Sequence, residues 1–172
     1  MENNFIINDN FLGQKEFDEL QTLMMGEDFA WYFNPYIVSS TKKEKGFQFI
    51  HMFYQNDLPR SAYFKSLLPI FEIINPTTLW RIKANLLTRT PSINVHSFHI
   101  DREDSPEKLK YWTTSIFYIN TNNGYSKFED GTQVESVANR MVMFPANMKH
   151  CGTSCTDEKT RVVINFNYFG RY

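Results

Sequence analysis

Residues 94–104 read "NVHSFHIDRED" and hold two of the four histidines in the chain. His99 and Asp101 are two residues apart, so on a β-strand their side chains would point to one face, together with Ser97. An imidazole and a carboxylate side by side at a strand end can take two adjacent positions on one metal ion. His96 would point to the other face, where we interpret it as a hydrogen-bonded histidine of the sheet. With 19 acidic residues among 172, such a pair also arises by chance, and a third ligand is needed.

The other two histidines are the candidates for that ligand. His51 lies within the aromatic segment "FQFIHMFYQ", which is typical of a packed core position. His150 follows "MVMFPANMK", a strand and a turn, which favours a place at the mouth of a barrel. Two histidines and one carboxylate form the facial triad that suits non-haem iron(II) and leaves positions open for substrate and oxygen. The predicted metal ligands are therefore His99, Asp101 and His150.

Arg161 begins the last predicted strand, "RVVINFNYF", whose side chains alternate between an apolar face and a face with Arg161, Asn165 and Asn167. Periodicity alone leaves two alternatives open, because the polar face could lie in solvent or line the metal site. The segment "CGTSCTDEKT" predicts a hairpin turn, which would put His150 and Arg161 on neighbouring strands about 5 Å apart. A small diacid could then be held by the metal at one end and by the guanidinium at the other.

The rest of the chain predicts two helices followed by many short strands. A first helix would be capped by Asp9 or Asn10 and stop near Gly26, and a second would begin near Ser61 and bend or break at Pro69. After residue 76, short segments rich in β-branched and aromatic residues alternate with turn-like stretches. We expect an α+β fold, with antiparallel strands in a sandwich or barrel and the helices packed outside.

Composition limits the function classes. The 172 residues suit one domain spanning 1–172, and 16% aromatic residues supply a core. A net charge of −1 without a basic tract gives no support to nucleic-acid binding. No run of about 18 apolar residues predicts a membrane span, and no signal peptide is visible, so we expect a cytoplasmic protein (in the host cell if virus-encoded). Cys151 and Cys155 are expected to be reduced thiols.

Three segments together resemble a known family. "FHID", "NRMVMFPANMKH" and "TRVVINFNYF" are similar, in this order and spacing, to the iron(II)- and 2-oxoglutarate-dependent oxygenases. In that family's pattern His99, Asp101 and His150 would bind iron, and Arg161 would bind the far carboxylate of 2-oxoglutarate. "SIFYINTNNGYSKFEDGTQV" resembles the family's segment between the ligands, with its glycine turn before a short strand. "RIKANLL" and the upstream helices are similar to the small prolyl-4-hydroxylase-like members, including phage-encoded ones.

The resemblance implies a double-stranded β-helix, or jelly roll, buttressed by the N-terminal helices. It implies iron(II), 2-oxoglutarate and molecular oxygen as reactants, with ascorbate as a supporting reductant. An unactivated C–H bond of the substrate would be hydroxylated as succinate and CO₂ are released. Asn85 and Thr114 are weaker candidates for cosubstrate contacts, with simple packing or exposure as the alternative.

Two departures leave the substrate open. The strand before the first histidine offers Lys83, Asn85 or Thr88 where the prolyl hydroxylases usually have a tyrosine, and Asn167 stands where many members have tryptophan. The substrate is predicted to be a peptidyl proline first, with another protein side chain, a free amino acid or another small molecule as alternatives. A non-catalytic jelly-roll binding module and a different metal-dependent jelly-roll enzyme are the competing functions. Residues 39–46, "SSTKKEKG", could form a lid or a solvated loop.

Overall fold

Antiparallel β-structure dominates the protein. A computed structural model describes residues 5–38, 46–102 and 104–170, so most of the predicted lid segment, residues 39–45, lies outside the described part. The strands of this part are β1 (Ile6–Asn8), β2 (Tyr32–Asn34), β3 (Gln48–Gln55), β4 (Leu58–Pro59), β5 (Thr78–Thr88), β6 (Trp112–Tyr118), β7 (Tyr125–Phe128), β8 (Gln133–Glu135), β9 (Arg140–Pro145), β10 (His150–Gly152) and β11 (Thr160–Phe169). The helices are α1 (Gln14–Met25), a 3₁₀ helix (Ala62–Leu67) that continues into α2 (Leu68–Ile74), and the one-turn α3 (Pro106–Leu109).

The strands form two sheets. The larger sheet has the order β1-β9-β6-β11-β5-β3-β2, with β4 paired to β3, and the smaller sheet has the order β10-β7-β8. Apolar side chains from both sheets pack against one another between them, among them Ile116, Val142 and Val163 from the larger sheet and Phe128 and Val134 from the smaller one. The space that remains between the sheets holds the polar residues described below.

The helices cover the other face of the larger sheet, as predicted. Phe17, Leu20 and Met24 recur at helical spacing along α1 and are buried in the main core. The second predicted helix is confirmed: the Ser61 hydroxyl accepts a hydrogen bond from the Tyr63 N–H at its start. None of the described helices is long and apolar enough to cross a membrane.

The predicted cap of the first helix is wrong. Helix α1 starts at Gln14 after Gly13, rather than at Asp9 or Asn10. Asn10 has a left-handed backbone (φ 51°), which asparagine tolerates better than most residues. The Asp9 carboxylate forms an ion pair with Arg140, so its oxygens serve a long-range contact instead of capping the helix.

The segment that carries the first two predicted ligands is irregular. Residues 94–101 run beside β10 and meet its end through isolated bridges, Val95 with Thr153 and His99 with His150. Between the two bridges the chain advances four residues from Val95 to His99 but only three from His150 to Thr153. The first segment therefore has one extra residue, which forms a bulge. Strict alternation therefore fails, and His96 lines the same cavity as His99. The prediction that His96 points to the opposite face is wrong.

The predicted hairpin between His150 and Arg161 is also wrong. Strand β10 belongs to the smaller sheet and β11 to the larger one. The segment between them crosses from one sheet to the other, and packed sheets lie about 10 Å apart. His150 and Arg161 consequently lie on opposite sheets, and both side chains line one cavity between them.

The alternation predicted for the last strand is confirmed. Val162, Ile164, Phe166 and Tyr168 are buried in the core against the helices. The opposite face of β11 points between the sheets, and Arg161 is only 3% exposed there. Of the two alternatives for this polar face, solvent exposure is thus ruled out.

Candidate active site

Three donor groups converge at one end of the space between the sheets. His99 and Asp101 come from the irregular segment, and His150 comes from the start of β10. One ligand atom from each lies within 4.8 Å of the others. The His99 Nε2 is 3.8 Å from one Asp101 oxygen, and the His150 Nε2 is 4.0 Å from the other. This arrangement brings together the three residues that were predicted as metal ligands.

The protonation of the two imidazoles makes this cluster fit a cation. The Nδ1 of His150 lies 3.3 Å from the Met148 carbonyl oxygen, and the Nδ1 of His99 lies 3.1 Å from the Ser97 carbonyl oxygen. A carbonyl only accepts, so each Nδ1 is the donor, and in the neutral form of each ring the Nε2 keeps a lone pair. Among the described residues the buried His150 Nε2 has no hydrogen-bond partner. Two lone pairs and a carboxylate thus face one another, and a metal ion between them would satisfy all three.

The Asp101 carboxylate is held by side chains from the larger sheet. Arg81 of β5 forms an ion pair with one oxygen at 3.0 Å, and the Asn167 amide of β11 donates to the other at 2.9 Å. The guanidinium of Arg81 also donates to the Asn167 side-chain oxygen, and the Asn167 amide donates to the Thr114 hydroxyl. This network fixes the orientation of the carboxylate on the sheet, as partners of metal ligands commonly do.

Charge and burial set the protonation states of the cluster. Burial raises the pKa of Asp101, but the neighbouring charges, of which Arg81 is the strongest, hold that pKa well below its usual range. Burial lowers the pKa of His150 to about 4. At neutral pH the cluster therefore offers an ionised carboxylate and a neutral buried imidazole, the forms that bind metals.

A cavity of about 60 Å³ extends from these three residues into the space between the sheets. Its wall on the larger sheet includes Lys83, Asn85 and Arg161, and its wall on the smaller sheet includes Ser126 and Gly152. Along β5, Lys83 stands beside Asn165 and Leu87 stands beside Arg161. The cluster of His99, Asp101 and His150 lies at the Lys83 end, and Arg161 lies at the other end.

Arg161 is a buried cation with only neutral partners. Its guanidinium donates to the hydroxyl oxygens of Ser136 at 2.8 Å and Ser126 at 3.2 Å. No carboxylate of residues 5–38, 46–102 or 104–170 forms a salt bridge with it. Burial lowers the pKa of Arg161, yet arginine stays protonated in proteins. The cavity thus ends in a charge that an anionic ligand could neutralise.

Two glycines leave room for this side chain. A Cβ at Gly124 would lie 2.7 Å from the Arg161 Cδ, and a Cβ at Gly152 would lie 3.3 Å from one terminal nitrogen. Gly124 directly precedes β7, where the sequence predicted a glycine turn before a short strand. Its lack of a side chain gives the arginine access to the cavity.

Solved structures provide an independent comparison, since no protein-family model matches the chain and no curated protein matches its sequence. A prolyl hydroxylase from Trichoplax adhaerens, solved with a peptide fragment of the hypoxia inducible factor, is 17% identical, with a TM-score of 0.66 over 98% of this chain and 84% of that one. An oxidoreductase of the 2-oxoglutarate–iron(II) oxygenase family from Burkholderia pseudomallei is 10% identical, with a TM-score of 0.67 over 96% and 86%. The protein HygX from Streptomyces hygroscopicus, solved with nickel, 2-oxoglutarate and hygromycin B, is 9% identical, with a TM-score of 0.60 over 99% and 84%.

The chain has the fold of the 2-oxoglutarate- and iron(II)-dependent oxygenases. The predicted jelly roll, or double-stranded β-helix, of mainly antiparallel strands is thereby confirmed, as is the resemblance to prolyl-hydroxylase-like members at the level of the fold. At these identities the likeness concerns the fold.

The two weaker site candidates have different positions in this oxygenase fold. Asn85 lines the cavity, where its amide lies 3.5 Å from the Asn165 side-chain oxygen. Thr114 is fully buried behind the cavity wall and contacts Asn167 instead. Asn85 thus lies on the cavity wall, whereas Thr114 is connected to the cluster through Asn167.

Sequence reasoning did not find Arg81. It named Lys83 and Asn167 only as residues that stand where the similar family usually has tyrosine and tryptophan. A signal for Arg81 and Lys83 was present in β5, because residues 81, 83, 85 and 87 alternate onto one face of the strand, and the last three line the cavity. The pairing of β5 with β11, which joins Arg81 to Asn167, is a long-range contact that local patterns do not encode.

Proposed function

We propose that residues 1–172 form one oxygenase domain that depends on iron(II) and 2-oxoglutarate. The observation that carries this proposal is the convergence of two imidazole lone pairs and a carboxylate at one end of a cavity that closes on a buried, carboxylate-free arginine. His99, Asp101 and His150 would hold iron(II), and Arg161 would hold the far carboxylate of 2-oxoglutarate. Nickel and 2-oxoglutarate in the similar structure of HygX support both assignments.

In this proposal the reaction consumes 2-oxoglutarate, O₂ and a substrate C–H bond, and yields succinate, CO₂ and an alcohol. The bound iron(II) would supply the oxygen activation that couples the decarboxylation to the hydroxylation. The residues of the chain supply position. Arg81 and Asn167 orient the Asp101 carboxylate, Arg161 sets how deep the diacid enters, and the two sheets keep water away from the space between them.

The substrate that we propose is a prolyl residue in a peptide or protein. The support is the likeness to a prolyl hydroxylase solved with a peptide fragment and the fact that His99 keeps 25% of its side chain exposed. The exposed imidazole puts the metal cluster within reach of a ligand that stays largely outside the cavity. A small-molecule substrate is the second candidate, because HygX was solved with hygromycin B.

Metal-dependent binding of 2-oxoglutarate tests the cofactor assignment. Under anaerobic conditions the protein should bind one equivalent of iron(II), and 2-oxoglutarate should then bind with a visible-absorption change that neither component gives alone. If 2-oxoglutarate binds tightly even after a chelator has removed the metal, its binding does not depend on the metal and the proposed site is wrong. A panel of peptides and metabolites, read by mass spectrometry for a gain of one oxygen atom, would identify the substrate.

A further inference from the structure

The cavity contains a second cation that the assignments above leave without a role. Lys83 lies on β5 between Arg81 and Asn85, and it lines the cavity wall at the metal end. Its neighbour across the strand pair is Asn165, whose amide lies 3.5 Å from the nearer Asp101 oxygen. Lys83 therefore stands beside the place where a ligand entering from Arg161 would reach the metal.

The Lys83 ammonium has no anionic partner of its own. Within the described part of the chain it forms neither a salt bridge nor a hydrogen bond. The closest candidate anion, Asp101, is already bound by Arg81 and Asn167. Burial and the charge of Arg81 lower the pKa of Lys83 from 10.5 to about 8, so the group is still mostly charged at neutral pH. Desolvated cations are usually paired, which indicates a bound anion.

Arg161 presents the same feature at the opposite end. Within the described ranges its hydrogen bonds go only to the Ser126 and Ser136 hydroxyls. Its strand neighbour Leu87 is four residues from Lys83 along β5, which corresponds to about 13 Å of strand. Lysine and arginine side chains both reach inward from these positions. One cavity thus carries two cations that address different ends of a ligand, and a dicarboxylate has the complementary charge.

We propose that Lys83 binds the metal-end carboxylate of the same dianion whose far carboxylate binds Arg161. This inference rests on the proposed function, because it takes that dianion to be 2-oxoglutarate. Lys83 then determines specificity together with Arg161: a 2-oxo acid that lacks either carboxylate loses one of two charge-assisted contacts. The lysine also neutralises part of the negative charge that Asp101 and the ligand bring together.

A comparison of 2-oxoglutarate with 2-oxopentanoate distinguishes the contacts at the two ends of the cavity. 2-Oxopentanoate has the carbon chain, keto group and metal-end carboxylate of 2-oxoglutarate but no far carboxylate. Both ligands are titrated anaerobically into the iron(II)-loaded protein. The variants are Lys83→Met, which keeps the length without the charge, Lys83→Arg, which keeps the charge, and Lys65→Met as a matched control on an exposed helical turn.

Lys83→Met should weaken the binding of both ligands by roughly ten- to hundredfold, and Lys83→Arg should restore most of the loss. Lys65→Met should bind both ligands like the wild type. If Lys83→Met weakens only 2-oxoglutarate, the lysine contacts the far carboxylate and the inference is wrong. Unchanged affinity of Lys83→Met for both ligands also overturns it. A wild type that does not bind 2-oxoglutarate at all refutes the proposed function instead.

The ligand-free protein supplies a second readout. Removing an unpaired, partly buried charge should raise the thermal stability of ligand-free Lys83→Met above that of the wild type. Saturating 2-oxoglutarate with iron(II) should stabilise the wild type more than the variant, since ligand stabilisation follows affinity. A variant that is less stable without ligand would show that Lys83 has a structural partner, which would contradict the proposal.

Discussion

Replacement of Arg161 by alanine tests the far end of the cavity. Arg161 is 3% exposed, and among the residues that the structure describes its guanidinium donates only to two serine hydroxyls, so it gives up no ion pair with them when a carboxylate binds. Little solvent reaches the pair to screen it. We therefore expect the full value of a charge-assisted contact, about 1.5–3 kcal/mol. The dissociation constant of 2-oxoglutarate should rise by roughly ten- to more than a hundredfold.

The assay is an anaerobic titration of 2-oxoglutarate into the iron(II)-loaded variant. Iron binding should be unchanged, because Arg161 lies on the other sheet from His150 and contributes no ligand. Arg161→Lys should show an intermediate loss, since it keeps the charge without the bidentate fork. A dissociation constant of Arg161→Ala equal to that of the wild type would refute the reasoning.

Three further predictions concern the metal end, the cysteines and pH. Asp101→Ala should lower iron(II) affinity at least about a hundredfold and abolish turnover, because loss of a residue that only supports a metal ligand already lowers metal affinity by roughly ten- to hundredfold. Asp104→Ala is the control. Wild-type iron affinity in the Asp101 variant would disprove the ligand assignment. Cys151 and Cys155 are buried and are not joined by a disulfide, so reductant should not shift Tm, whereas a structural disulfide would cost about 2–5 kcal/mol on reduction. Between pH 8 and 10.5 Lys83 is protonated in the unfolded chain but has lost its proton in the folded protein. The free energy of unfolding of the ligand-free wild type, relative to that of Lys83→Met, should therefore rise with pH by up to about 3 kcal/mol. A difference between the two proteins that does not change with pH would contradict this prediction.

Local patterns carried the prediction of the cluster. His99 and Asp101 reach one place, as their spacing of two residues predicted, although the segment that carries them is irregular. Arg161 reaches the cavity because β11 alternates without interruption, with its apolar half against the helices. These features depend on a few adjacent residues, and a single sequence displays them.

Contacts between distant segments could not be derived in this way. The segment after His150 is polar and turn-rich, which is compatible with a hairpin and equally with the crossing between sheets that the structure has. The bulge that turns His96 into the cavity depends on how residues 94–101 meet β10. Arg81 and Asn167 both bind the Asp101 carboxylate. They are 86 residues apart in sequence and become neighbours only through the pairing of β5 with β11.

The central claim is that this chain couples decarboxylation of 2-oxoglutarate to reduction of oxygen. The most direct test is the formation of succinate from 2-oxoglutarate by the purified wild type with iron(II), with and without oxygen, and by Asp101→Ala. The account predicts succinate and CO₂ in equal amounts, formed only with oxygen and iron and only by the wild type. Succinate formation that continues without oxygen, or in Asp101→Ala, would contradict the account. So would an iron-loaded wild type that binds 2-oxoglutarate but forms no succinate with any member of the substrate panel.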